Sequence, residues 1–193
     1  NGSQAVVITN TVAPRSNAAL RFDGAGGYYG AYGPSFIPTN NVAIEMWVRS
    51  TNTTQNADAI FNTANINHSK RLIFHATNGN WGASIDGSWI GGEEGAGQPI
   101  VSGKWTHIAV ITEKGRSTFY LNGVARSGGK DLMFDHNPSP HIGVAPNATA
   151  YFDGDIDQLR VFTFDPDTVK AKRALSINNV LEPPPRGLVF SVF

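Results

Sequence analysis

Apolar residues in this chain come in short runs, each bounded by Gly, Pro, Asn or Ser, and the alternation within them has the two-residue period of β-strands. Seven runs predict strands: Ala19–Asp23, Ala43–Arg49, Arg71–His75, Trp81–Ile85, Trp105–Thr112, Thr118–Leu121 and Ile156–Phe162. In Trp105–Thr112, Trp105, His107, Ala109 and Ile111 share one face and Thr106, Ile108 and Val110 the other. Both faces are largely apolar, so this strand belongs at the centre of a packed sheet. Glu113-Lys114-Gly115-Arg116 makes a tight connection to the next strand. Asn122-Gly123 supplies the two positive-φ residues of a type I′ hairpin leading to Val124–Arg126. One segment reads as a short helix, Pro166–Leu175, with Asp165 as its cap and Pro166 at its first position.

Glu182-Pro183-Pro184-Pro185 is a stiff spacer that cannot donate to a sheet, so the domain body is expected to span residues 18–180. Residues 1–17 then form one flank and 181–193 the other. Each flank carries an apolar strand, Ala5–Thr9 and Gly187–Phe193. These strands pair either with each other or an edge of their own domain, or with a neighbouring chain. The second alternative is self-association by strand exchange, as in a filament.

A chain of 193 residues suits one continuous core. Fifteen Lys and Arg balance fifteen Asp and Glu, so there is no basic field to recruit a nucleic-acid backbone. No apolar run approaches the roughly 20 residues that cross a bilayer, so membrane insertion is not expected. The start at Asn1 has neither a charged n-region nor an apolar h-region, and reads as that of a processed or excised piece. The absence of cysteine removes disulfides and thiolate chemistry. Low charge, 21 Gly and abundant Asn and Thr fit an extracellular, secreted or cell-surface β-protein.

Five segments in order carry a resemblance. They are Ala19-Leu20-Arg21-Phe22-Asp23-Gly24 followed by Tyr28-Tyr29, then Val42–Val48, Gly103–Val110, Phe119-Tyr120-Leu121-Asn122-Gly123, and Phe152-Asp153-Gly154-Asp155-Ile156-Asp157-Gln158-Leu159-Arg160-Val161-Phe162. Together they resemble the laminin G-like domains of the concanavalin A-like lectin/glucanase, pentraxin-related class. The departures are Asn122, where relatives often carry Asp, and the two flanking strands. The resemblance implies an all-β, two-sheet antiparallel jelly-roll sandwich, with the one short helix near its C-terminal end.

Asp153, Asp155 and Asp157 occupy alternate positions, so on a strand they line one face about 6.8 Å apart, with Ile156 on the other. That spacing is compatible with the carboxylate pair of an inverting glycosidase, about 6.5–9.5 Å. The glucanases of the class use Glu-x-Asp-x-x-Glu, however, and there is no Glu between Glu113 and Glu182. No enzyme activity is expected. Calcium-ligating oxygens lie about 2.3–2.6 Å from the ion, so one strand cannot make a calcium site and a second must contribute. The resemblance places the first strand beside the last with calcium often between them, and on it Asp23 and Asp157 match the acidic positions. With Asp153 of the same row they are the metal candidates, for a structural calcium. The alternative is that Asp23 and Asp157 cap backbone N–H groups at loop ends.

Trp47 and Trp105 are expected in the core. Trp81 and Trp89 flank a Gly- and Ser-rich stretch, where indoles have little to bury them. Sugar rings stack apolar C–H faces on aromatics while carboxylates and amides take the hydroxyls, so Trp89 and Trp81 with Asp86, Glu93 and Asn80 form a candidate glycan platform. The alternative has one Trp closing the core and the other covering a loop. Tyr28, Tyr29 and Tyr32 form a second aromatic cluster. His107 is expected to be a core histidine within a central strand, hydrogen-bonded rather than ligating. His136 and His141 with Asp131 and Asp135 lack fixed ligand spacing. The expected function is a non-catalytic extracellular lectin-like, carbohydrate-binding or adhesion module whose partner is a glycan or an extracellular protein. A structural subunit of a filament or surface layer is the alternative, and a hydrolase or lyase of the same class the third reading.

Overall fold

The computed structural model describes residues 6–9, 18–26, 29–30, 40–63, 70–90, 98–126, 129–134, 140–145, 149–167, 172, 175, 177 and 190–192. Among the described residues the strands, in chain order, are β1 (Val6–Thr9), β2 (Ala18–Asp23), β3 (Tyr29–Gly30), β4 (Val42–Arg49), β5 (Ala57–Asn62), β6 (Leu72–Thr77) and β7 (Asn80–Ile85). They continue as β8 (Ser88–Trp89), β9 (Thr106–Glu113), β10 (Arg116–Leu121), β11 (Val124–Ala125), β12 (His141–Ile142), β13 (Asp153–Thr163) and β14 (Phe190–Val192). An eight-stranded sheet runs β1-β2-β13-β4-β9-β10-β11, with β14 also paired to β13. A six-stranded sheet runs β3-β12-β5-β6-β7-β8. Every pairing is antiparallel.

All seven predicted strands are present, and β9 lies between β4 and β10 with only Glu113 short of full burial. β5 was not predicted, because its residues Ala57-Asp58-Ala59-Ile60-Phe61-Asn62 lack clean alternation, and its pairing with β6 carries an irregularity between Ala57 and Phe61. Two-residue turns set the register. Asn122 (φ 49°) and Gly123 (φ 75°) close β10 on β11 as expected, and Asn78-Gly79, Asp86-Gly87 and Lys114-Gly115 repeat the paired positive φ. Most of the expected helix at 166–175 lies outside the described residues. Both terminal strands join their own sheet: β1 pairs β2, and β14 pairs Leu159–Val161 of β13, end to end with β2 along the same edge.

The core fills the space between the sheets. Leu20, Phe22, Ile44, Met46, Val48, Ile108, Val110, Phe119, Ile156 and Val161 face it from the larger sheet; Leu72, Phe74, Ala76, Trp81, Ala83 and Ile85 face it from the smaller. Phe22 is fully buried against Gly143, where an added Cβ would overlap its ring. Trp105 is buried, as expected of both indoles, whereas Trp47 is only partly buried and packs against it. By strand parity they lie on the outer face of the eight-stranded sheet, forming a small separate patch with Ala19.

That outer face is tied by charge. Asp155, 1% exposed, accepts from Arg21 Nη1 on β2 at 3.2 Å and from Arg49 Nε on β4 at 2.7 Å. The Arg49 guanidinium lies over the Trp105 ring, 4.7 Å from its centroid. Farther along, Glu45 of β4 is fully buried between His107 Nε2 of β9, at 2.7 Å, and Arg160 of β13, whose Nε donates at 2.6 Å. His107 is therefore hydrogen-bonded in a central strand, as expected, but on the polar face. Gln158, with φ 50°, shifts the register of β13 against β4 between Asp157 and Arg160. The bulge changes parity: the odd-numbered Asp row faces outward before it, Arg160 and Phe162 after it, while Leu159 and Val161 enter the core.

Two outcomes test this account. Gly143→Ala should destabilise the fold by about 3 kcal/mol, combining left-handed strain with overlap on Phe22. Gly103→Ala, with φ 71° and open space around it, should cost roughly 1 kcal/mol. Equal losses in denaturant unfolding would mean that the Phe22 contact contributes nothing. Asp155→Asn, which leaves two guanidinium groups facing a neutral amide, should cost about 2–3 kcal/mol in the same measurement, and a loss under about 0.5 kcal/mol would show the ladder to be energetically idle.

Candidate functional site

The acidic row does not assemble as the resemblance implied. Pairing of β2 with β13 sets Asp23 opposite Asp153, Phe22 opposite Gly154 and Arg21 opposite Asp155. Asp157 lies four residues beyond Asp153, roughly 13 Å at strand rise, and is buried opposite Trp47. The expected meeting of Asp23 with Asp157 is thus corrected: the antiparallel register gives Asp23 a different partner. Asp23 Oδ1 accepts the backbone N–H of Ala25 at 2.9 Å, the capping role named as the alternative. Asp153 lies 3.7 Å from Arg21 Nη2. Calcium needs six to eight oxygens around one point, and a dication at Asp153 would sit beside a guanidinium. Asp23, Asp153 and Asp157 do not fit a shared calcium, and among the described residues no three His, Cys, Asp or Glu side chains converge as a metal-binding group.

The glycan candidates separate in the same way. Trp81, 2% exposed, points into the core against Phe152 with ring centroids 6.3 Å apart, because its position in β7 has the parity of Ala83 and Ile85. Trp89 is partly exposed on the opposite face. Its six-membered ring lies over Gly82, where a Cβ would stand 2.7 Å from Trp89 Cζ3, and its centroid is 4.5 Å from the His75 ring. Only glycine at 82 lets the indole lie this close to the sheet. Asp86 is exposed in the turn between β7 and β8, near Trp89 in the chain. Asn80 is at the far end of β7, where Nδ2 donates to Asn78 O at 2.8 Å and Oδ1 accepts from Gln98 N at 3.3 Å. Glu93 lies outside the described residues, as do the side chains of Tyr28, Tyr29 and Tyr32.

Two further members of this face went unpredicted. His75 Nε2 and Ser84 Oγ are 2.6 Å apart, both buried, one on β6 and the other on β7. The signal was in the chain: an Asn78-Gly79 hairpin sets His75 opposite Gly82, and an Asp86-Gly87 hairpin sets Trp89 opposite Ser84. The indole, imidazole and hydroxyl thus form one layered cluster on the outer face of the six-stranded sheet. An aromatic ring with adjacent hydroxyl and carboxylate groups can stack on a sugar's C–H face and bond its hydroxyls.

Solved structures with this fold include domain 4 of AbnA, a GH43 extracellular arabinanase from Geobacillus stearothermophilus in complex with arabinotriose. Its TM-score is 0.64 at 22% identity, over 84% of this chain and 77% of that one. A heptameric SAP-like pentraxin from Limulus polyphemus aligns with a TM-score of 0.59 at 16% identity, over 89% of this chain and 86% of that one. A putative carbohydrate-binding protein from Bacteroides ovatus aligns with a TM-score of 0.60 at 15% identity, over 94% of this chain but 57% of that one. No curated protein sequence matches significantly. The Laminin_G_3 profile, described as concanavalin A-like lectin/glucanases superfamily, matches residues 23–165. The matched region folds as two antiparallel sheets around one core, and the chain belongs to the Laminin_G_3 family of the concanavalin A-like lectin/glucanases superfamily.

Proposed function

We propose that this chain is a non-catalytic carbohydrate-binding module of an extracellular protein, and that it binds glycan on the outer face of the six-stranded sheet around Trp89. The observation that carries the reading is the placement of Trp89, partly exposed and held against Gly82 and His75 by the β7–β8 hairpin. A ring fixed in this way loses little freedom on stacking with a sugar. Asp86 beside it in the chain is exposed, and its carboxyl oxygens can accept from sugar hydroxyls. The arabinotriose held by the arabinanase domain and the carbohydrate-binding description of the Bacteroides protein favour a neutral plant- or microbe-type polysaccharide as ligand.

The non-catalytic part rests on the carboxylates. Glycoside hydrolysis needs two carboxyl groups flanking the scissile bond. Here Asp155 is buried between two arginines and Glu45 between His107 and Arg160, so neither is presented to a substrate. Incubation with arabino-oligosaccharides should release no reducing ends, and turnover lost in a Glu or Asp variant would refute this part.

Arabinotriose and a glycan array provide the binding test. Trp89→Ala should weaken binding about tenfold or more, and Gly82→Ala, which keeps the indole but displaces it, should do the same. Full binding by both variants, or no glycan bound by the parent at millimolar concentration, would remove the proposal. Sugar binding and the melting temperature should both be unchanged in excess chelator, since Asp153 and Asp155 are paired with arginines. A chelator-dependent fall in the melt would restore a structural metal.

A further inference from the structure

On the opposite side of the sandwich, the outer face of the eight-stranded sheet holds a pocket of about 210 Å³ lined by Ile111, Glu113, Lys114, Arg116, Thr118 and Tyr120. The β9–β10 register builds it, setting Glu113 opposite Arg116, Ile111 opposite Thr118 and Ala109 opposite Tyr120. Its floor is apolar. Ile111 belongs to a buried cluster with Ala43, Ala109, Phe162, Phe164 and Leu175, and Tyr120 packs against that cluster from the side.

The polar groups around the floor divide into two sets. The cations are engaged: Lys114 Nζ lies 2.6 Å from Asp167 Oδ1, and Arg116 Nη1 lies 2.5 Å from Asp131 Oδ1 while Nη2 donates to the Gly129 carbonyl at 2.9 Å. Among the described residues no hydrogen bond or ion pair engages the Glu113 carboxylate, the Thr118 hydroxyl or the Tyr120 hydroxyl. Burial, and then the Glu113 charge, push the Tyr120 phenol above its ordinary range, so the hydroxyl stays a donor at neutral pH. The pocket therefore offers one acceptor-only group and two hydroxyls around an apolar floor and an aromatic wall, the pattern of a small-molecule site.

That pattern selects a ligand. A small cation pairing with Glu113 would leave the Thr118 and Tyr120 hydroxyls and the apolar floor unused. A neutral ligand with several hydroxyls and an apolar C–H face suits the groups better. The volume of about 210 Å³ has room for one sugar ring. We propose that the β9–β10 pocket is a second glycan site that binds a single neutral sugar residue, its hydroxyls on Glu113, Thr118 and Tyr120 and its C–H face on Tyr120 and Ile111. The ligand class rests on the carbohydrate-binding reading, whereas the site is independent of Trp89.

The test is an amide chemical-shift titration of the whole chain with methyl glycosides of L-arabinose, D-galactose, D-glucose and D-mannose, repeated on Trp89→Ala, Glu113→Gln and Tyr120→Ala. At least one glycoside should produce saturable shifts at residues 111–120. These should persist in Trp89→Ala and weaken about tenfold in Glu113→Gln, the loss expected when a charged acceptor becomes neutral. Spectra of Glu113→Gln elsewhere should superpose on the parent's, showing an intact fold. Shifts confined to the Trp89 face would overturn the pocket and leave the carbohydrate reading standing. Shifts confined to 111–120 would uphold the pocket and remove the Trp89 face. No shift with any glycoside overturns both, as does a response at 111–120 to methylammonium alone. Undiminished affinity in Glu113→Gln overturns the pocket.

Discussion

Asp155 holds a carboxylate where three strands meet, receiving one guanidinium from β2 and another from β4, with almost no access to water. The rest of the larger sheet depends on this contact, because β13 is the strand through which the N-terminal and C-terminal parts of the chain are joined. Its first half pairs β2, Leu159–Val161 pair β14, and Asp155–Thr163 pair β4 across the bulge. A buried ion pair adds little net stability when compared with an apolar replacement of the same shape, but breaking one side of it is costly. It therefore disfavours any register that leaves Arg21 or Arg49 without its partner. The bulge at Gln158 extends this constraint, because it lets one strand send acids outward, then Leu159 and Val161 inward, without losing the ladder.

A sandwich with both outer faces in water would alternate apolar inside and polar outside. Here the outer faces are themselves partly buried: Glu45, His107 and Asp155 on the larger sheet, His75, Thr77 and Ser84 on the smaller, are almost wholly shielded. Burying polar groups is costly unless they are paired, and the Glu45–His107–Arg160 and His75–Ser84 contacts supply such pairs. The groups that stay partly exposed above these layers are Trp89 on one face and Glu113, Thr118 and Tyr120 on the other. In the proposed binding modes the ligand contacts fall to side chains standing on strands, whose positions cost little to fix.

Strand identity, the central place of β9, the Asn122-Gly123 hairpin and the fold class were legible in the residues, because period-two alternation and positive-φ turn residues are local properties. The acids were legible as a row but not as a network. Nothing near Asp155 in the chain announces Arg21 or Arg49, which lie 134 and 106 positions away. Asp23 illustrates the same limit: its place beside the last strand was foreseen, but its partner in that strand is set by a register that pairs it with Asp153.

The indoles mark where local reading stops. Trp81 and Trp89 stand in similar Gly- and Ser-rich surroundings, yet one is core and the other partly exposed, since strand parity sends Trp81 inward with Ala83 while the Asp86-Gly87 hairpin lays Trp89 across Gly82. Composition, alternation and turn chemistry act over a few residues and can be read from their order alone. Which side chains share a face, which charges neutralise one another and which hydroxyls remain unengaged depend on contacts between strands far apart in the chain, and those exist only once both sheets have closed on the same interior.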